Sequence, residues 1–246
     1  MQFINFRNSS PKIIFLWIAF IISSLLILVS CSDDQEAGDQ TPRQVDTESF
    51  TFFDIGRTTK FSEQIRDELE EKLGRDAIER RSILDLEINY NGFLKKYFPE
   101  LEALNQKLNF PPRERVDHNT LKLMYRYAQK KSVPFKLVEL VFSGYTKTPM
   151  LFEINFKEDE ANIVETLREK YGQPEVIDWQ EGNGKSMFWK KSGDYLIVSI
   201  TPDQFGKQDH QIMIYFMNNL KQLVETESKE KEIKEEQRVK TGKKAF

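Results

Sequence analysis

This chain has little with which to do covalent or metal chemistry. Its 246 residues include one cysteine, Cys31, and two histidines, His118 and His210. One cysteine excludes an internal disulfide and a cysteine-based metal cluster. Neither histidine has a His or Glu at helical i+4, so the zinc-hydrolase arrangement is missing. No serine sits in a Gly-x-Ser-x-Gly elbow. Glycine is scarce, 11 in all, and no glycine-rich phosphate loop is present; Gly182-Asn183-Gly184 reads as a turn. The chain also lacks an excess of positive charge, with 36 Lys and Arg against 39 Asp and Glu, which argues against a nucleic-acid partner. After Val29 no second apolar run is long enough to span a membrane, and the expected strands are too few for an outer-membrane barrel. No catalytic residue, metal site or cofactor is expected from this inventory.

What the chain does have is a marked N-terminus. Arg7 and Lys12 precede an apolar stretch, Ile13 to Val29, interrupted only by Ser23 and Ser24. Leu28-Val29-Ser30-Cys31 ends it, and the composition turns polar at once with Ser32-Asp33-Asp34-Gln35-Glu36. That order is the order of a secretory signal. A lone cysteine at the end of an apolar helix is ordinarily a small hydrophobe. Here it stands at the boundary between apolar and polar sequence.

Leu28-Val29-Ser30-Cys31 resembles the lipobox of bacterial lipoproteins. The resemblance implies diacylglycerol transfer to the Cys31 sulfur, cleavage between Ser30 and Cys31, and acylation of the new amino terminus. Two or three acyl chains hold a protein stably at a membrane, where one is marginal. The apolar run is also close to the ~17–25 residues that cross a bilayer, so a retained signal anchor is the alternative. Either way Arg7 and Lys12 favour a cytoplasmic N-terminus and a body on the far side, in the cell envelope facing the periplasm. Ser32 in place of Asp resembles the sorting signal for the outer rather than the inner membrane. Without residues 1–30 the charge is about −5, since Arg7 and Lys12 go with them.

Residues 31–49 carry the modified cysteine and a polar stretch expected to act as a flexible tether. The body reads as α+β, an antiparallel sheet with helices packed on one face. Residues 50–116 form its helix-rich part, 117–224 an α+β part, and 225–246 a charged tail, either a solvated helix or disordered. A boundary near Pro111–Asp117 and a single domain are both compatible with the pattern. Phe61, Ile65, Leu69 and Leu73 recur every four residues and predict a helix ended by Gly74. Ser82 to Tyr90 alternates and predicts a strand. Phe93 to Leu108 is helical, with Pro99 tolerated in a first turn. Leu121, Met124, Tyr125 and Ala128 predict a helix capped by Asn119 or Thr120. Phe135–Tyr145 and Met150–Lys157 predict a hairpin, and Glu158–Tyr171 a helix closed by Gly172-Gln173-Pro174. Strands are expected at Val176–Trp179, Ser186–Lys190, Tyr195–Thr201 and Gln211–Phe216, then a helix through Leu223.

Phe135 to Phe216, with its helix ending Lys170-Tyr171-Gly172-Gln173-Pro174, is similar to a pattern in envelope lipoproteins of Gram-negative bacteria. A weaker likeness is to the small accessory lipoproteins of the outer-membrane protein assembly machine. Neither resemblance implies an activity or a binding residue here.

Aromatics are the remaining candidates for contact. Trp179, Trp189, Phe188 and Tyr195 cluster in the predicted meander, and Trp and Tyr are favoured anchors. The commoner role for such residues is core. Trp179, between Asp178 and Gln180, is the one expected to be partly exposed. Phe50, Phe52 and Phe53 could form an edge strand that recruits a partner. The function expected is therefore a membrane-anchored, non-catalytic binding or scaffolding protein with an envelope protein as partner. A periplasmic small-molecule-binding domain and a carboxylate-dependent hydrolase are the alternatives.

Overall fold

Runs of apolar and β-branched residues build one large sheet at the centre of the described fold. The computed structural model describes residues 48–126, 134–156, 162–179, 184–202, 206 and 208–244. Eight strands pair in the order β3-β4-β5-β6-β10-β9-β8-β7, every neighbour antiparallel. They are β3 (Ala77–Ser82), β4 (His118–Arg126), β5 (Phe135–Ser143), β6 (Pro149–Phe156), β7 (Glu175–Trp179), β8 (Gly184–Lys191), β9 (Asp194–Pro202) and β10 (Gln208–Tyr215). A two-stranded pair, β1 (Thr51–Phe52) and β2 (Ile55–Gly56), precedes them. The described helices are α1 (Glu63–Leu73), α2 (Phe93–Tyr97), α3 (Pro99–Leu108), α4 (Ile163–Tyr171) and α5 (Met217–Lys244). The α+β class and the antiparallel sheet are as expected.

The helices lie against both faces of this sheet, not one. Successive strand residues point to opposite sides. Val138, Leu140 and Phe142 of β5 enter one core, with Leu69 and Leu73 of α1 and, partly buried, Ile163, Val164 and Leu167 of α4. Val141 enters the other, with Tyr195, Ile197 and Tyr215, under α2, α3 and the first turns of α5. A sheet whose central strands are apolar on both sides needs both sides covered.

Two expected elements change type. Residues 119–131 read as a helix, but His118–Arg126 is a strand. Leu121 and Tyr125 suit either period. Leu123 and Tyr125 alternate into the core, and β4 is hydrogen-bonded on one side to β3 and on the other to β5. Tertiary pairing overrides a weak local preference. Ser82–Tyr90 read as a strand, but the ladder ends at Ser82 after an irregularity at Arg81, whose φ is 64°. The alternation is still obeyed: Leu84, Leu86 and Ile88 are buried. Their segment is held by side chains instead of by a neighbouring strand. The Leu86 N–H donates to Asn105 Oδ1 at 3.0 Å, and Tyr215 Oη donates to the Leu86 carbonyl at 2.9 Å.

Local punctuation behaves as the sequence requires. Ser62 caps α1 by accepting from the Ile65 N–H, and Gly74 and Gly172 end α1 and α4 at φ 85°. Pro99 is the first residue of α3. The lysine- and glutamate-rich tail continues the final helix unbroken as far as Lys244.

Candidate functional site

Ser30 and Cys31, with the expected tether through residue 47, lie outside the described residues. Of the four meander aromatics named from the sequence, Phe188 is half-buried and Trp179, Trp189 and Tyr195 are core side chains. Trp179, expected partly exposed, is 5% exposed, as is Trp189, and Tyr195 is 6% exposed. The Trp179 indole lies across its partner Gly184, where any Cβ would come within 2.5 Å of the ring, and its Nε1 donates to Ser186 Oγ. Trp189 belongs to the opposite core, its Nε1 donating to the Gly172 carbonyl at 2.7 Å. So the fold does not bring Trp189 together with Trp179 and Tyr195, and none of the three has much surface to offer. Phe50 is fully buried, and Phe52 and Phe53 pack on Phe135. His118 and His210 sit on strands separated by β5 and β6.

What the fold does assemble is a set of anchors around α5. The first is Asp194, wholly buried at the start of β9. Ser192 and Gly193 take positive φ in the two-residue turn before it, as a hairpin of this length demands. Asp194 Oδ1 accepts the Met217 N–H at 2.9 Å, capping the first turn of α5. Its Oδ2 accepts from Ser49 Oγ at 2.5 Å and lies 3.5 Å from Arg57 Nη1. Arg57 Nη1 also donates to the Ser192 carbonyl, and Asn219 Nδ2 donates to the Arg57 and Pro149 carbonyls. Ser49, at the end of the stretch expected to be a flexible tether, is instead buried, and with Arg57 it is bonded into the hairpin and the start of α5.

The second anchor holds the middle of α5. His118 Nδ1 is 2.7 Å from Glu227 Oε2, and Nε2 is 3.0 Å from the Leu108 carbonyl. The Asn119 N–H donates to Glu227 Oε1 at 3.0 Å. Both ring nitrogens face an acceptor, so both edges of the ring are engaged within the protein. Burial by itself would raise the Glu227 carboxyl. The hydrogen bonds from His118 and Asn119, then the charges of His118 and Lys231, outweigh it, so its pKa is lowered. A depressed carboxyl contributes stability that is present above the unfolded pKa, about 4.3, and lost as pH falls through the folded value. Glu227→Gln is therefore expected to destabilise the protein by about 1–3 kcal/mol at neutral pH. In urea titrations the gap to the parent should close at pH values below about 4. A gap that is constant with pH counts against the charged pair. Beside this anchor a cleft of about 370 Å³ is lined by Arg81, Asn119, Tyr145, Glu230 and Lys234, among others. The Tyr145 phenol is pushed up by burial, then by its hydrogen bond to Glu230.

The third feature is an open groove of about 1000 Å³ between α3 and α5. Ala103, Phe110 and Val224 supply its apolar surface, and Lys107, Glu225, Lys229 and Glu232 line it too. Phe110 is 65% exposed. The sequence leaves 225–246 open between a solvated helix and a disordered tail, and so does not give this groove. A helix of 28 residues is what gives the groove its far wall.

Glu87 is the carboxyl pushed up, by burial first and then by Glu102 and Asp85. Asp85 itself accepts the Glu87 N–H and lies 3.4 Å from Asn105 Nδ2. Among the described residues no group of three or more His, Cys, Asp or Glu is placed to hold a metal ion. No described helix is long and apolar enough to cross a membrane. No family model, curated protein or solved structure matches this chain.

Proposed function

We propose that this protein is a membrane-anchored envelope lipoprotein, acylated at Cys31, with a non-catalytic binding or scaffolding role. The observation that carries the binding half is the α3–α5 groove. It is open along a helix pair, with exposed Phe110 at its apolar surface. A small-molecule site encloses most of its ligand. An open groove along a helix pair is better suited to an amphipathic helix laid into it. Anchoring on the outer membrane, facing the periplasm, is the setting that Leu28-Val29-Ser30-Cys31 and Ser32 support.

In-cell crosslinking tests the role. A photo-crosslinker at Ala103 or Gln106, both exposed in the groove, is expected to capture one dominant envelope protein. Ala103→Glu with Phe110→Glu should reduce that capture about tenfold or more, since apolar anchors dominate such contacts. Thermal melting should stay near the parent value because both positions are solvent-facing. Capture that is unchanged by the two charges, or spread evenly over many proteins, sinks the groove as the binding surface.

A further inference from the structure

We infer that the last three turns of α5 are an electrostatic foot that rests on an anionic bilayer surface. Glu230, hydrogen-bonded to Tyr145, is the last half-buried residue of the helix. Every residue from Lys231 to Lys244 is exposed, 14 positions that extend about 21 Å at 1.5 Å per residue. Ion pairs along the helix sustain it without packing: Lys234 with Glu230, Arg238 with Glu235, and Lys240 with Glu236.

Charge is sorted along this rod. Arg238, Lys240, Lys243 and Lys244 lie beyond Glu236, and none of the chain's 39 acids does. The remainder of the chain is acidic in balance. Cations in the last turn also suit the helix dipole, but that effect is confined to one turn and does not require a rod that reaches away from the body. An apolar partner is poorly served here. Ile233 and Val239 are the only large apolar side chains from Lys231 to Lys244, and six residues apart they fall on different sides of the helix. A groove-binding helix would need anchors at i, i+3, i+4 and i+7. Lys240, Lys243 and Lys244, spaced i, i+3, i+4, share one face of the tip, a cationic face that suits a charged plane. Basic clusters of this size are drawn to an anionic lipid surface. The choice of a bilayer among anionic surfaces rests on the membrane attachment proposed above.

The test uses the full chain, isolated in detergent with its native N-terminus and reconstituted into vesicles. One set is phosphatidylcholine; the other contains about 30% phosphatidylglycerol. Cleavage after Glu235 and Glu236 by a glutamate-specific protease reads tip exposure, and cleavage after Glu71 reads the body. At low salt, anionic vesicles are expected to slow tip cleavage at least about tenfold relative to neutral ones, with recovery near 0.5 M NaCl. Changing Arg238, Lys240, Lys243 and Lys244 to Gln should abolish the difference. A chain that floats with both vesicle types but is cut equally in both overturns the foot alone. Slowing that survives the four substitutions, or that affects Glu71 equally, also overturns it. Failure to float with either set removes the membrane attachment and, with it, this surface. Salt-resistant protection found only in native envelope vesicles would assign the tip to a protein and overturn the bilayer.

Discussion

Asp194→Ala is expected to cost about 3–5 kcal/mol, the range for removing one partner of a buried ion pair. The loss has several parts. The Met217 N–H loses its acceptor at the start of α5, Ser49 Oγ loses its partner, and the Arg57 guanidinium keeps its charge 3% exposed with that carboxylate gone. Removing one partner of a buried, hydrogen-bonded ion pair is among the few changes that reach this size. Domain stabilities are typically about 5–15 kcal/mol, so the variant should unfold at much lower urea or accumulate poorly. Asp194→Asn keeps one oxygen for Met217 and should fall between the two. Pairing Asp194→Leu with Arg57→Met should cost less than the two single changes together, because the two side chains interact and their effects are not additive. Equilibrium urea unfolding measures each. An Asp194→Ala variant within about 1 kcal/mol of the parent would show that the carboxylate is not the node described here.

That node also marks where sequence reading ran out. Ser49 and Asp194 are 145 residues apart, and a turn Ser192-Gly193-Asp194 looks the same whether its aspartate faces water or the core. The hairpin β5–β6 and the end of α4 were legible because their causes are local: alternation, a short connection, and glycine followed by proline. Strand β4 was not, because Leu121 and Tyr125 satisfy both periods and the deciding partners lie on β3 and β5. Leu84, Leu86 and Ile88 were read correctly as alternating but wrongly as paired. Alternation reports which side chains are buried, not what satisfies the backbone between them. The same limit applies to Trp179, whose polar neighbours suggested exposure while Gly184 across the ladder made room for its ring. Among the anchors of α5, the sequence named His118 without its partner. Glu227 looked like one acid in a run of lysines and glutamates until β4 placed the ring 2.7 Å away.

Cys31→Ala should produce the largest change in where the protein resides. On the lipoprotein reading, acylation precedes cleavage, so an alanine at this position leaves residues 1–30 attached. The apolar run Ile13–Val29, with Arg7 and Lys12 before it, then holds the uncut chain in the inner membrane. The parent is expected at the outer membrane, shorter and carrying lipid at its new N-terminus. Each buried methylene contributes about 0.8 kcal/mol, so two or three acyl chains hold that attachment stably, whereas one would exchange. Membrane fractionation with mass spectrometry of the N-terminal peptide separates the outcomes. The body should be unaffected: residues 46–246 form a compact unit, and the anchors described above join residues within it. Far-ultraviolet circular dichroism and the urea midpoint of Cys31→Ala should therefore match the parent. If parent and variant share one mass and one membrane, residues 13–29 are a retained anchor and Cys31 is only a small apolar residue at its end. The body would then still face the periplasm, and the α3–α5 groove and the tip of α5 would act from an inner-membrane protein.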